Sequence, residues 1–224
     1  MARQARVYIP NTAQLVQVRG NNNAPVFFQP EDYAQWQSIA RTIVPVHAVD
    51  IHAYALLPTQ INLLVTAHNE QALGELMQDL GRRYVRYINR THQRTGTLWE
   101  GRYRTAFIQD APYVVRAYVW LDSGLGGLNG QSEYTSALRH LGQHNPEFIR
   151  DHSQYWQLGN TPFERQSAYA QRMSEGLSSA HSSELERAVQ TGWALGDAAF
   201  VAQTEQAIGR RISPAPRGRP KKTG

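Results

Sequence analysis

The sequence predicts an α+β protein: an antiparallel sheet with packed helices, then a helical extension, then a basic tail. Three observations carry this. Apolar periods near two and near 3.6 alternate through the first 128 residues in the order β-α-β-β-α-β-α. Beyond about residue 129 the pattern weakens into short helical stretches, including 164–176 and 196–209. The end, SPAPRGRPKKTG, holds Pro, Gly and cations without core residues and is expected to be disordered when free. The boundaries expected are 1–128, 129–209 and 210–224.

The elements follow in order. Residues 14–19 (QLVQVR) read as a strand that stops at Gly20 and three asparagines. Pro30-Glu31-Asp32 opens a helix over 30–44, with Trp36, Ile39, Ala40 and Ile43 at helical spacing. Residues 46–57 and 60–67 read as paired strands around Pro58-Thr59. Over 70–91, Leu73, Leu76, Met77, Leu80, Tyr84, Tyr87 and Ile88 share one helix face, and Arg82, Arg83, Arg86 and Arg90 share another. Residues 97–109 read as irregular and extended, and 111–122 as a helix stopped by Ser123-Gly124.

The chain has 224 residues, 41% of them hydrophobic, enough for a real core. No apolar run approaches the roughly 18–20 residues that span a bilayer, which excludes an integral helical membrane protein. The first residues lack the apolar stretch of a secretory signal. With no cysteine, disulfides, Cys-zinc sites, iron–sulfur clusters and thiol catalysis are excluded, and a cytoplasmic location is expected. Formal net charge is +5, yet residues 210–224 alone carry six cations and no acid, so the rest of the chain sums to −1. Basicity is local.

Two basic segments point to nucleic acid. Arg82, Arg83, Arg86, Arg90, Arg94, Arg102 and Arg104 are opposed only by Glu100 within 82–104 and are interleaved with Tyr84, Tyr87, Trp99 and Tyr103. Such a set suits phosphate contacts and base stacking, and a solvated helix face is the other reading. In the tail, Pro216-Arg217-Gly218-Arg219-Pro220, followed by Lys221-Lys222, resembles an AT-hook, in which Arg-Gly-Arg lies along a narrow minor groove. The other reading there is a solubilising basic end.

Several segments in this order resemble the REP-associated branch of the single-tyrosine HUH transposases. They are RGNN (19–22) before PVFF (25–28), LLPTQINLLV (56–65), GRRYVRYINRTHQRTGTLWEGRYR (81–104) and AYVWLDSGLGGL (117–128). GWALGDAAF (192–200), leading into IGRRISPAPRGRPKK (208–222), fits as an extension. The resemblance implies a ferredoxin-like domain that binds hairpin DNA and nicks one strand. Two histidines of an H-x-H strand motif would hold a divalent metal, Mg²⁺ or Mn²⁺, against the scissile phosphate. A tyrosine on a later helix would attack and become joined to the 5′ end. A phenol of pKa near 10 needs such charge neutralisation to act at neutral pH.

This chain departs from the pattern. Gln60 and Asn62 stand where the family has its histidines, still on one strand face by alternation. Neutral amides bind divalent cations poorly beside imidazole or carboxylate. Tyr118 matches the nucleophile. Asp122, one turn later on the same helix face, replaces an Asn that in the family lies beside the metal, and would supply the missing charge. Core packing is the plain reading of Tyr118, and a local turn bond that of Asp122. His140 and His144 read as a surface pair. His47, His52 and His68 flank the strands, and His92 falls in the basic segment as a phosphate contact.

The resulting expectation is a transposase-family DNA-binding protein for hairpin or single-stranded DNA with duplex flanks, its tyrosine-dependent cleavage lost or weakened. The alternative is an active metal-dependent nickase that forms a 5′-phosphotyrosine link through Tyr118. Gln60 and Asn62 are expected side by side, facing the helix of Tyr118.

Overall fold

In the computed structural model, residues 7–125 and 134–214 are described. Strands β1 (Ala13–Arg19), β2 (Val49–Leu57), β3 (Gln60–Ala67) and β4 (Arg104–Ile108) form one antiparallel sheet in the order β2-β3-β1-β4. Helices α1 (Pro30–Ile43) and α2 (Ala72–Thr91) connect them in the expected order, and α3 (Val115–Asp122) follows β4. This is the ferredoxin-like arrangement that the resemblance implies: β1-α1-β2 is split by β3, which pairs with both strands.

Strand alternation assigns the two sheet faces. On β3, Ile61, Leu63, Val65 and Ala67 join Trp36, Ile39 and Ile43 of α1 and Leu73, Leu76, Leu80, Tyr84 and Ile88 of α2 in one core. Each fully buried leucine or isoleucine there contributes about 1.5–3 kcal/mol. Leu64, Leu15 and Ala55 look the other way, into a second core with α3, Tyr155, Tyr169, Leu185 and Val189. The sheet is therefore covered on both faces, the second one by α3 and the extension.

The extension holds short helices α4 (Ala137–His140) and α5 (Ser153–Trp156), then α6 (Pro162–Glu175), α7 (Ser179–Thr191) and α8 (Ala198–Ile208). Thr161 and Glu164 form a capping box on α6, and Asp197 caps α8 through the Phe200 N–H. Both sheet edges are occupied. Tyr134 and Ser136 exchange backbone bonds with Leu56 and Tyr54 along β2, while Leu195 does so with Phe107 and Gln109 along β4. Such pairing removes the open backbone row that makes an edge strand prone to aggregate.

Local differences from the sequence reading have local causes. The second strand starts at Val49, because Pro45 sits in a 3₁₀ turn over Val44–Val46. Only Arg104–Ile108 of 97–109 pairs as a strand. The helix expected from residue 111 begins at Val115, after a π-type turn over Asp110–Val114. Pro112 has no N–H and disfavours helical backbone at Ala111, which is extended (φ −100°, ψ 135°). Gly20 is required by close approach: a Cβ there would lie 2.0 Å from the Ala24 carbonyl oxygen. Asn22 and Asn23 take positive φ and complete that turn. The tail beyond residue 214, with Arg217, Arg219, Lys221 and Lys222, lies outside the described residues.

Candidate functional site

Gln60 and Asn62 share the β3 face of Leu64, the face covered by α3. The register sets their neighbours. Asn62 stands between Gln17 and Ala55, Gln60 between Arg19 and Leu57, and Gln17 is in turn opposite Arg104. One row across the sheet thus reads Arg104, Gln17, Asn62, Ala55. Gln17 donates its Nε2–H to Asn62 Oδ1 at 3.0 Å. Gln17 is 3% exposed and Asn62 1%, and Gln17 Oε1 and Asn62 Nδ2 are left with no hydrogen-bond partner. Gln17, but not Asn62, lines a cavity of about 140 Å³ together with Arg19, Glu100, Gly101, Arg102 and Arg104.

Tyr118 lies on the same side of the sheet, inside the second core. It is 1% exposed, with its ring against His140, Tyr155 and Tyr169. Its hydroxyl accepts the His152 backbone N–H at 2.9 Å. Burial pushes the phenol well above its ordinary pKa; the His152 hydrogen bond opposes it, and the negative charge of Asp151 and Asp122 adds a smaller rise. The net effect makes a phenolate harder to form here.

Asp122 is fully buried, and its carboxylate takes three hydrogen bonds: Ser136 Oγ at 2.5 Å, Tyr169 OH at 2.6 Å and His140 Nδ1 at 2.6 Å. His140 Nε2 meets the His52 carbonyl at 3.0 Å; a carbonyl only accepts, so Nε2 carries a proton. Far from forming a surface pair with His144, His140 is 0% exposed at the centre of this network. A bulge between Ile51 and Ala53 turns His52 to the same face. There its Nδ1 meets the Arg150 carbonyl at 2.7 Å and its Nε2 the Thr66 hydroxyl at 2.8 Å. Burial pushes His52 down to about 4, only partly offset by the Arg150 bond.

The donor set does not suit a divalent cation. Asn62 Oδ1 already accepts from Gln17, and both Asp122 carboxylate oxygens are engaged by protein donors. Among the described residues no cluster of three or more His, Asp or Glu is placed to hold a metal ion.

The seven arginines of 82–104 do not share one surface. Arg82, Arg83, Arg86 and Arg90 are exposed on α2, on the far side of the sheet from α3, with Arg83 paired to Asp79 at 2.7 Å. Arg94 stacks over Phe28 at 5.1 Å. Arg104 rises from β4 toward the Gln17–Asn62 face, 3.7 Å from Glu100. The interleaved aromatics are mostly structural. Tyr84 is buried and donates to the Val26 carbonyl, and Tyr87, Trp99 and Tyr103 pack half-buried against the first core. His92, read from sequence as a phosphate contact, is bound to the Asp32 carboxylate at 3.0 Å. Another cavity, of about 580 Å³, lies between α2 and the opposite sheet face, away from Tyr118, Asn62 and Asp122.

Sequence reasoning missed Gln17, Arg19, Ser136, His140, His152 and Tyr169. Gln17 carried a faint signal, as a polar residue inside an apolar strand, but its pairing with Asn62 depends on register.

Residues 14–120 match the family model described as "Transposase IS200 like". The structure of a REP-associated tyrosine transposase bound to a REP hairpin shares the fold. It is 14% identical, with a TM-score of 0.51, and the match covers 67% of this chain and 93% of that one. A crystal structure of a candidate transposase from Deinococcus radiodurans R1 is 17% identical over 53% of this chain and 95% of that one, with a TM-score of 0.37. No curated protein matches the chain.

Proposed function

Residues 14–120 are a domain of the IS200-like transposase family, and on that premise we propose that this protein binds hairpin or single-stranded DNA with duplex flanks and has lost or weakened its tyrosine-dependent strand cleavage. One observation carries the second half. Where the resemblance implies metal-binding histidines, the sheet face holds the amides Gln60 and Asn62, and Asn62 is tied to Gln17. Two further features support it: Asp122 is filled by protein donors, and Tyr118 is enclosed by the extension. Hairpin DNA as partner is supported by the family match and by the fold shared with a hairpin-bound transposase.

In this reading Arg82, Arg83, Arg86, Arg90, Arg94, Arg102 and Arg104 contact phosphates. The tail residues Arg217, Arg219, Lys221 and Lys222 enter the minor groove of a duplex flank. The domain of 1–128 supplies the fold, the extension of 129–209 covers the tyrosine through residues described from 134 onward, and the protein acts in the cytoplasm. No helix among the described residues is long and apolar enough to cross a membrane. A second reading, an active nickase working through Tyr118 with Mg²⁺ or Mn²⁺, is favoured by one feature: α3 packs on the sheet face that carries Asn62.

The test is to titrate a labelled hairpin with single-stranded tails, and a blunt duplex of the same sequence, against the full chain. Tighter binding of the tailed hairpin is expected. Equal, weak binding of both at physiological salt would remove the structured-DNA reading.

A further inference from the structure

We propose a second binding site at the seam between the family domain and its extension: a cavity between α3, α5 and α6 that takes a small organic anion, an apolar body carrying one carboxylate or phosphate group. It stands apart from the DNA-binding reading above and uses none of the residues of the sheet-face site.

The first observation is the cavity and its accessibility. Its volume is about 390 Å³, within the roughly 300–1,000 Å³ of small-molecule pockets, which form preferentially where domains meet. Its apolar side is Val115 and Val119 of α3 with Leu158 and Leu177, which lie just beyond α5 and α6. Val115, Leu158 and Leu177 are only half-buried. Apolar surface is therefore left open to solvent where the three helices converge, and an apolar group that covers it gains free energy.

The second is charge. Arg116 of α3 and Arg172 of α6 both line the cavity. The Arg116 guanidinium lies over the Tyr113 ring at 5.4 Å, and Arg172 Nη1 donates to the Ala168 carbonyl of its own helix at 3.0 Å. Neither has a carboxylate partner among the described residues, whereas Arg83, Arg139 and Arg150 each do. A guanidinium carries several N–H donors, so both arginines have donors left for an anion. Glu175 is the acid in the lining, and its Oε1 accepts from Gln171 Nε2 at 2.9 Å. Two arginines against one acid leave the cavity positive. The start of α3 and the end of α6 both border it; their dipole ends are opposite in sign and offset one another, so the side chains decide.

Together these fix the class of ligand. An organic cation meets two guanidiniums, and a neutral apolar molecule leaves them unmatched. Inorganic phosphate leaves the apolar side uncovered. Gln154 and Gln157 also line the cavity, and amide N–H groups serve a carboxylate or a phosphate equally.

The third is position. Val115, Arg116 and Val119 lie inside the matched residues 14–120, and Gln154, Leu158, Arg172 and Leu177 lie in the extension. An occupant that touches both binds only while they are docked, and so stabilises the docked arrangement by mass action. That is the arrangement in which the His152 N–H, at the start of α5, holds the Tyr118 hydroxyl.

Isothermal titration of the full chain tests the site. The probes are phenylacetate and phenyl phosphate, with benzyl alcohol, benzylamine and inorganic phosphate as controls. At least one aryl anion should bind saturably and about tenfold or more tighter than every control, the worth of one charge-assisted hydrogen bond. Which of the two binds tighter identifies the head group. Arg116→Gln and Arg172→Gln should each weaken that binding about tenfold, and the bound anion should slow amide exchange at His152. The thermal midpoint of each ligand-free variant checks its fold; should either unfold, the comparison of probes on the unaltered chain decides alone. The proposal fails if neither aryl anion binds saturably up to about 10 mM, if a control binds as tightly, if the folded arginine variants bind unchanged, or if the bound anion leaves exchange at His152 as it was. Displacement of the bound anion by a tailed hairpin would also overturn it, by making the two arginines a phosphate contact of the DNA.

Discussion

The Tyr118 hydroxyl accepts a hydrogen bond from the backbone N–H of His152 at 2.9 Å. That contact ties α3 to the start of α5 in the extension. A phenol that accepts a backbone bond while buried among Tyr155, Tyr169 and His140 is held by packing, and it reaches a phosphate only if the extension moves aside. Four measurements follow from this arrangement and from the charge distribution.

Tyr118→Phe should destabilise the protein by about 1–3 kcal/mol, because the His152 N–H is left buried without its acceptor. Urea denaturation of the variant against the unaltered chain reads it. A neutral or stabilising effect would mean that the hydroxyl is not held as described.

Asp122→Ala should cost about 3 kcal/mol or more. Ser136, Tyr169 and His140 are all left buried without their acceptor. The same denaturation experiment measures it. A loss below about 1 kcal/mol would contradict the network.

His52 gives a pH dependence of known sign. Its folded pKa is pushed down to about 4, chiefly by burial, with the Arg150 bond opposing and the charge of His152 and His140 adding to the depression. The unfolded chain therefore binds more protons between the ordinary value near 6.5 and about 4. Stability is fully present above 6.5 and falls as the pH drops through that window, by an amount on the order of 3 kcal/mol. Denaturation midpoints at pH 7, 5.5 and 4.5 should decline, and His52→Gln should flatten the decline.

Removing residues 210–224 takes away six positive charges. If about four of them touch phosphate, the slope of log K against log salt should shrink by roughly three to four units. Identical slopes for the full and shortened chains would make the tail a bystander.

Much of the fold was legible because its signals are local. The period of α2, the Pro30-Glu31-Asp32 start of α1 and the alternation of β3 each specify an element without reference to the rest of the chain. The resemblance added the ferredoxin-like connection. The site was less legible because its key pairs are distant: Gln17 and Asn62 are 45 residues apart, Asp122 and Tyr169 are 47 apart, and Tyr118 and His152 are 34 apart. His140 misled for the same reason. Its spacing from His144 suggested an exposed helix face, but its burial is set by Asp122 and the His52 carbonyl. Tyr84 was legible in one of two ways: its helical phase with Leu80 and Ile88 places it in the first core, as found, while its position among arginines also suggested a stacking surface that its burial does not offer.

The central claim is that this family domain keeps DNA binding and has lost or weakened cleavage. It is tested most directly by incubating the full chain with a tailed hairpin and Mn²⁺ or Mg²⁺, at concentrations where binding is complete, and running a denaturing gel. The account predicts no covalent protein–DNA band, or a trace that Tyr118→Phe removes. Each tenfold below a competent enzyme corresponds to about 1.4 kcal/mol of lost transition-state stabilisation. A strong metal-dependent band from the unaltered protein, absent in Tyr118→Phe, would contradict it and establish the nickase.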